Sequence, residues 1–168
     1  MAPTLNNDKY LNALLYFIAE CGNEKLGVTK LNKLFYYLDF ISYRDRGETV
    51  TGETYVRLPM GPYAAKLQKK IIPSAQKKGL IDHKQDDSDS FGKRNRYQAL
   101  QQYDLNVFDE YERDLLSKIS KTFCNWTTDE MIAQTHTEAP WVFSEPSKPL
   151  DFKNADDIEF FTKESVSA

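Results

Sequence analysis

The chain has 168 residues, 40% of them hydrophobic, and 22 basic against 25 acidic side chains leave a net charge of −3. That is material for a single domain over residues 1–168, with a core at about 8–162 and a polar C-terminal tail. A mean hydropathy of −0.61 excludes an integral membrane protein, and a pI near 5.5 denies the molecule as a whole any attraction for a nucleic-acid backbone. Cys21 and Cys124 are too few for a disulfide framework or a four-cysteine zinc site and suit a reducing cytosol; no secretory signal is legible from Met1 to Lys9, so the expected location is cytoplasmic.

The polar run Asn6, Asn7, Asp8 caps a first helix in which Leu11, Leu14, Leu15 and Ile18 fall at helical spacing and Gly22 is the stop. A second helix begins near Thr29, carries Leu31, Leu34, Phe35, Leu38 and Ile41 as an apolar stripe, and ends before Gly47. Tyr36, Tyr37, Phe40 and Tyr43 widen that stripe, so this helix should be covered on two sides; the aromatics read as core packing or, in the functional alternative, as a partner-binding face.

From Thr49 to Leu58 the composition turns to Thr, Val and Tyr, a short strand or hairpin that Pro59, Gly61 and Pro62 stop. A third helix is expected to start near Pro62, with Ala64, Leu67 and Ile71 on one side, until Pro73 forces a kink or restart before Gly79. Residues Leu80 to His83 and Asn95 to Leu100 then pair around a polar loop holding Asp86, Asp87, Asp89 and Gly92, and a helix followed by a hairpin resembles a winged helix. Phe108, Tyr111, Leu115, Ile119 and Phe123 outline a fourth helix, Thr127 with Glu130 a capping box for a fifth, and Ile158 and Phe161 a weak last helical signal. The expected fold is α+β, mainly α-helical: a compact bundle of about five to six helices around a central helix, with a small antiparallel β element.

Charge is unevenly spread. Residues 64–97 hold nine Lys or Arg and four Asp or Glu, net +5, whereas residues 101–168 hold six and fourteen, net −8. The basic stretch suits an acidic partner or a phosphate backbone, the acidic half suits a basic functional site on another protein, and either also serves as an ordinary solvated face.

The order of Lys30-Leu31-Asn32-Lys33-Leu34-Phe35-Tyr36, Met60-Gly61-Pro62-Tyr63, Thr128-Asp129-Glu130-Met131 and Thr135-His136-Thr137-Glu138-Ala139-Pro140-Trp141 resembles the Panacea, or SocA-like antitoxin, domain, over roughly Tyr10 to Phe161. Leu31, Leu34, Tyr36, Gly61, Pro62, His136, Pro140 and Trp141 are the motif positions, and the segment around His136 and Trp141 is the most distinctive. Two positions depart from the pattern: Pro59-Met60 stands where an aromatic is common, and Ala139 where glycine is common. The resemblance implies an antitoxin, often found in phage-associated genes, that neutralises a separately encoded protein toxin by direct binding. In the family the domain is paired with unrelated toxins, including RelA-like nucleotide transferases and translation inhibitors, and one member is an adaptor that delivers its toxin to a protease.

His136 beside Glu138 invites a catalytic reading, but residues two apart do not sit side by side on a helix and no nucleophile has a recognisable context. The expected role of His136 is to cap the fifth helix by bonding its last carbonyls, with Pro140 stopping that helix and Trp141 packing below. No metal-ligand spacing and no phosphate-binding glycine loop is present, so no cofactor and no enzymatic activity are expected. For the toxin-binding surface the candidates are Tyr55, Arg57 and Met60 with Lys66 and Lys70. The competing partner is operator DNA, met by Lys66, Lys69, Lys70, Lys77 and Lys78 with Lys93, Arg94 and Arg96 near a wing tip.

Overall fold

The computed structural model describes residues 4–22, 25–89 and 92–162, and side chains are described outside 84–95. The tail beyond residue 162 and the side chains of Lys93 and Arg94 lie outside the described residues. Helix α1 (Asn7–Cys21) opens on Asn6, whose side-chain oxygen accepts the Lys9 amide at 3.1 Å, and its Leu11, Leu14, Leu15 and Ile18 are buried. Helix α2 (Val28–Arg46) ends at Gly47, which takes the left-handed conformation at φ 73° and returns its N–H to the Tyr43 carbonyl.

Every side chain from Lys30 to Ser42 is buried, and the aromatic residues of α2 face different neighbours. Phe35 meets Tyr10 and Phe17 of α1 at 4.8 and 5.2 Å, Tyr37 stacks on Phe123 at 4.7 Å, and Phe40 stacks on Phe152 at 4.3 Å. These rings are core, and α2 is the central helix.

Strands β1 (Tyr55–Leu58) and β2 (Gly61–Ala64) form an antiparallel hairpin around Pro59 and Met60, which corrects the expectation of a helix starting near Pro62. Gly61 has φ +104°, outside the helical region. Pro62 stands opposite Arg57, whose own N–H and carbonyl bond outward to Lys148 and Ser147 at 2.9 and 2.8 Å. At such a non-bonded pair a missing proline N–H removes no ladder bond. Ala64, expected on a helix, thus belongs to a strand.

The helical segment begins at Leu67 instead, as a π-helical turn (Leu67–Ile71) leading into α3 (Ile72–Lys77) with Pro73 in its first turn, so the expected kink takes π form. Strands β3 (Ile81–Asp89) and β4 (Gly92–Ala99) make a second antiparallel hairpin that reaches further into the aspartate-rich stretch than the expected polar loop, with a register irregularity between Asp86 and Asp89. A 3-10 turn (Leu105–Val107) precedes α4 (Glu110–Phe123), which starts on a reciprocal capping box of Asp109 and Glu112. Helix α5 (Thr128–Thr135) carries the expected box of Thr127 and Glu130; the short α6 (Ala139–Val142) and a 3-10 turn (Phe152–Asp157) follow, with Ile158 buried. The fold is α+β and mainly helical. Among the described residues no helix is long and apolar enough to cross a membrane.

Cys21 and Cys124, read as a pair suited to a reducing compartment, are bonded to each other, their Cα atoms 4.8 Å apart, and so tie the end of α1 to the end of α4. In the chain-entropy picture, closing a loop of roughly 100 residues restrains the unfolded chain by about 4–5 kcal/mol.

The approach to β1 is fixed by a buried carboxylate. Asp39 of α2 accepts the amides of Val50 and Thr51 at 2.8 and 2.9 Å on Oδ1, and the hydroxyls of Thr51 and Tyr55 at 2.5 Å each on Oδ2. Burial pushes its carboxyl up to about 6 against the downward pull of those donors. Asp39→Ala leaves three buried donors without their acceptor and the Tyr55 hydroxyl with the Phe35 carbonyl instead, and by analogy with broken buried polar clusters it is expected to lower the unfolding free energy by about 3–5 kcal/mol. Urea denaturation followed by circular dichroism measures the loss; a change below about 1 kcal/mol is incompatible with this role.

Candidate functional site

The polar residues of the motif on α2 each hold a different segment. Lys30 donates to the carbonyls of Cys124 and Trp126, both at 2.7 Å, and so satisfies the C-terminal end of α4. Asn32 accepts the Ala64 amide at 2.7 Å and donates to the Val28 carbonyl at 2.8 Å, which places β2 along α2. Lys33 donates to the Pro62 carbonyl at 3.1 Å, and its stem lies where a side chain at residue 61 would go: a Cβ there would stand 2.6 Å from Lys33 Cε and 2.8 Å from Thr135 Oγ1. Gly61 is therefore required both by its φ and by the close approach of α2 and α5. Burial lowers the pKa of Lys30 to about 8 and of Lys33 to about 7.

The second half of the site is the turn between α5 and α6. Tyr36 and Tyr37 donate to Glu138 at 2.9 and 3.0 Å, and Gln134 donates to it at 3.2 Å. Burial raises the Glu138 pKa against these three bonds, and burial beside Glu138 raises both tyrosines. Glu138 thus anchors the start of α6 to the middle of α2, and it does not hold the His136 ring. His136 closes α5 through its backbone N–H, while its ring stacks on Trp141 at 4.1 Å and its Nε2 is buried without a hydrogen-bond partner. The expected capping of α5 by His136 is thus seen, its backbone N–H bonding the Ile132 and Gln134 carbonyls while the ring turns to Trp141. Pro140 differs from expectation: α5 has already ended, and Pro140 lies in the first turn of α6, where its missing N–H has no intrahelical use.

Arg57 of β1 completes this cluster. Its guanidinium lies 3.8 Å from the centre of the Trp141 ring, and Nη1 donates to the carbonyls of Trp141 and Ser144 at 3.2 and 2.7 Å, while Trp141 Nε1 donates to the Leu58 carbonyl at 3.1 Å. The β1–β2 hairpin, α5 and α6 are thereby locked together on one side of α2.

Two cavities flank the cluster. One of about 410 Å³ lies between α2 and the hairpin, lined by residues that include Val28, Lys33, Leu58, Met60 and Tyr63. The other, about 340 Å³, is lined by Gln134, Glu138, Val142, Phe143, Asp157 and Glu159 among others. Val142 and Phe143 stand at its edge with 44% and 72% of their surface exposed, which makes Phe143 the most exposed of the large apolar residues described. Among the described residues no three His, Cys, Asp or Glu side chains converge as a metal site.

The model of the SocA-like antitoxin, Panacea domain family matches residues 31–142, about two thirds of the chain. The chain belongs to this family. No curated protein and no solved structure matches it. The Panacea match runs from Leu31 on the central helix to Val142 at the end of α6, a narrower span than the sequence motifs outlined; it contains Asn32, Lys33, the tyrosine–Glu138 bonds and the Arg57–Trp141 stack, while Lys30, Ser144 and Phe143 lie just outside it.

The Panacea motif positions are gathered by the fold: Leu31, Leu34 and Tyr36 are buried on α2, Gly61 and Pro62 are buried on β2, and His136, Pro140 and Trp141 frame α6. The residues expected at a partner surface are dispersed. Tyr55 is fully buried, its hydroxyl donating to Asp39 with the Phe35 carbonyl 2.9 Å away, and Arg57 is occupied by Trp141 and backbone carbonyls. Met60, Lys66 and Lys70 are exposed. Sequence reasoning missed Asp39, Glu138 as a tyrosine acceptor, and Phe143. A charge embedded in an aromatic run, as in Leu38-Asp39-Phe40, was the available signal for the first.

Removing the Glu138 carboxylate leaves two buried tyrosine hydroxyls unpaired, so Glu138→Ala is expected to cost about 2–4 kcal/mol, and Glu138→Gln, which keeps an acceptor oxygen, less than half of that. Thermal unfolding of the two variants side by side measures the difference. Lys33 gives a pH signature. Its folded pKa lies near 7 and an unfolded lysine titrates near 10.4, so the unfolded state binds more protons between these values and stability from this group rises with pH across that window. Lys33→Met is expected to flatten that part of the profile in denaturation series from pH 7 to 10.

Proposed function

We propose that this chain is an antitoxin that silences a protein toxin encoded beside it by binding it directly, in the cytoplasm, without making or breaking bonds itself. The observation that carries this reading is the match of the Panacea domain family to residues 31–142. The chemistry of the cluster supports it. The polar motif residues turn inward: Lys30 and Asn32, and one donor of Lys33, bond backbone groups, Tyr36 and Tyr37 bond Glu138, and the His136 ring stacks on Trp141. Such residues build a rigid body, and neutralisation falls to what that body presents outward.

For the toxin's seat the reading favours the end of α6. Phe143 and Val142 are exposed apolar groups, and Asp157 and Glu159 line the adjoining cavity. An exposed aromatic beside carboxylates suits a basic surface such as that of an enzyme acting on nucleotides or RNA, because the ring supplies desolvated contact area while the charges steer the encounter. Met60, Lys66 and Lys70 form the alternative seat carried over from the sequence.

The test is co-expression with the product of the neighbouring gene, followed by affinity measurement on the purified pair. Growth is expected to be arrested by that product alone and restored by this chain. Phe143→Asp is expected to weaken binding by a factor of roughly 30 or more, corresponding to about 2 kcal/mol, without changing the melting temperature, while Met60→Asp has a smaller effect. A harmless neighbour, or lethality that persists at equal expression, overturns the function; a reversed order of the two variants overturns the seat. A second reading, autoregulatory DNA binding, is favoured by the exposed Lys66, Lys69, Lys70, Lys77 and Lys78 ahead of the β3–β4 hairpin, and failure to retain the chain's own promoter fragment at low salt dismisses it.

A further inference from the structure

Lys33 is spent only in part on the scaffold. Its side chain is buried, with the residue 2% exposed, yet of its three N–H donors one has an acceptor among the described residues, the Pro62 carbonyl at 3.1 Å. Lys30, three residues earlier, has two carbonyls at 2.7 Å. A buried ammonium held by a single neutral acceptor is an expensive arrangement that a methionine of similar shape would avoid. Lys33 also lines the cavity of about 410 Å³ between α2 and the β1–β2 hairpin, whose other walls include Val28, Leu58, Pro59, Met60 and Tyr63. Asn32 in the same wall is already satisfied by the Ala64 amide and the Val28 carbonyl. The cavity therefore offers largely hydrocarbon walls, with the uncharged Thr29 and Gln68 as further polar side chains, a volume in the range of small-molecule sites, and one cation with spare donors.

We propose that this cavity is a binding site for a small apolar monocarboxylate, whose acid group pairs with the Lys33 ammonium while its hydrocarbon body lies against Leu58, Met60 and Tyr63. The alternatives fit the walls less well. A phosphate or dicarboxylate brings a second charge that no other lining residue answers, a neutral ligand leaves the ammonium as it is, and an amine is repelled. The site is separate from the Phe143 face and does not depend on the antitoxin reading, since it is measured on the chain alone.

Proton linkage gives the site a distinguishing readout. Burial alone lowers the Lys33 pKa to about 7, with no neighbouring carboxylate contributing, and Tyr63 is the other titratable group lining the cavity. A bound carboxylate favours the charged amine, so affinity is level below about pH 7 and declines by up to tenfold for each pH unit above it.

The experiment titrates the full chain with 4-methylpentanoate, and in parallel with the neutral 4-methylpentan-1-ol, by calorimetry and ligand-observed NMR at pH 6, 7 and 8. The acid is expected to bind at least tenfold more tightly than the alcohol at pH 6 and to lose that advantage toward pH 8. Lys33→Met, checked for an intact melting transition, is expected to bind acid and alcohol alike at every pH. Met60→Glu, on the exposed rim, is expected to weaken the acid and spare the alcohol, and it decides the matter if the Lys33 variant fails to fold. Equal binding of acid and alcohol by the wild-type chain, an unchanged acid affinity in Lys33→Met, or no acid binding at roughly 50 mM at pH 6 overturns the proposal.

Discussion

A helix buried on every side cannot leave its polar side chains in water, and this constraint organises the molecule. Between Lys30 and Asp39, α2 carries two lysines, an asparagine, two tyrosines and an aspartate, all buried. Each must find a partner from elsewhere in the chain, because an unpaired buried ion or hydroxyl costs more than most packing contacts return. The partners come from distant segments: the end of α4 for Lys30, β2 for Asn32 and Lys33, the α5–α6 turn for the tyrosines, and the approach to β1 for Asp39. Apolar packing supplies driving force, while these bonds supply address.

The hairpin shows how such addressing overrides local preference. A proline after a glycine, followed by Tyr63-Ala64-Ala65 and a lysine-rich stretch, has the local signature of a helix start, yet the segment is extended. The Asn32 side chain accepts the Ala64 amide as a neighbouring strand would, and the chain around residues 147–150 takes the outer edge of β1 through Arg57, Tyr55 and a bridge between Val56 and Pro149. Pro62 is tolerated because its position in the register asks for no N–H. Propensity is weaker than a set of partners already in place.

The same arrangement separates signature from surface. The side chains that define the family motif are the ones the scaffold consumes, which is why Tyr55 and Arg57, plausible anchors by residue type, turn inward to Asp39 and Trp141. What remains outside is less distinctive in sequence: Phe143, Val142 and their acidic neighbours at the end of α6, and the Met60 rim of the cavity above α2.

Read alone, the sequence determined the α+β, mainly helical class, the extents of α1 and α2, the presence of α4 though not its start, since Phe108 precedes the Asp109 cap in extended backbone, the Thr127–Glu130 capping box, the second hairpin and the family, because caps, glycine stops and apolar periodicity are local and survive without knowledge of neighbours. Only the tertiary structure decided that Pro62 sits in a strand, that Cys21 meets Cys124, that His136 stacks on Trp141, and that Lys33 is enclosed with donors to spare. Those outcomes turn on which groups separated by dozens of residues share one buried volume, and whether a polar side chain is a scaffold bond, a free surface or a site depends on how many of its partners that volume contains.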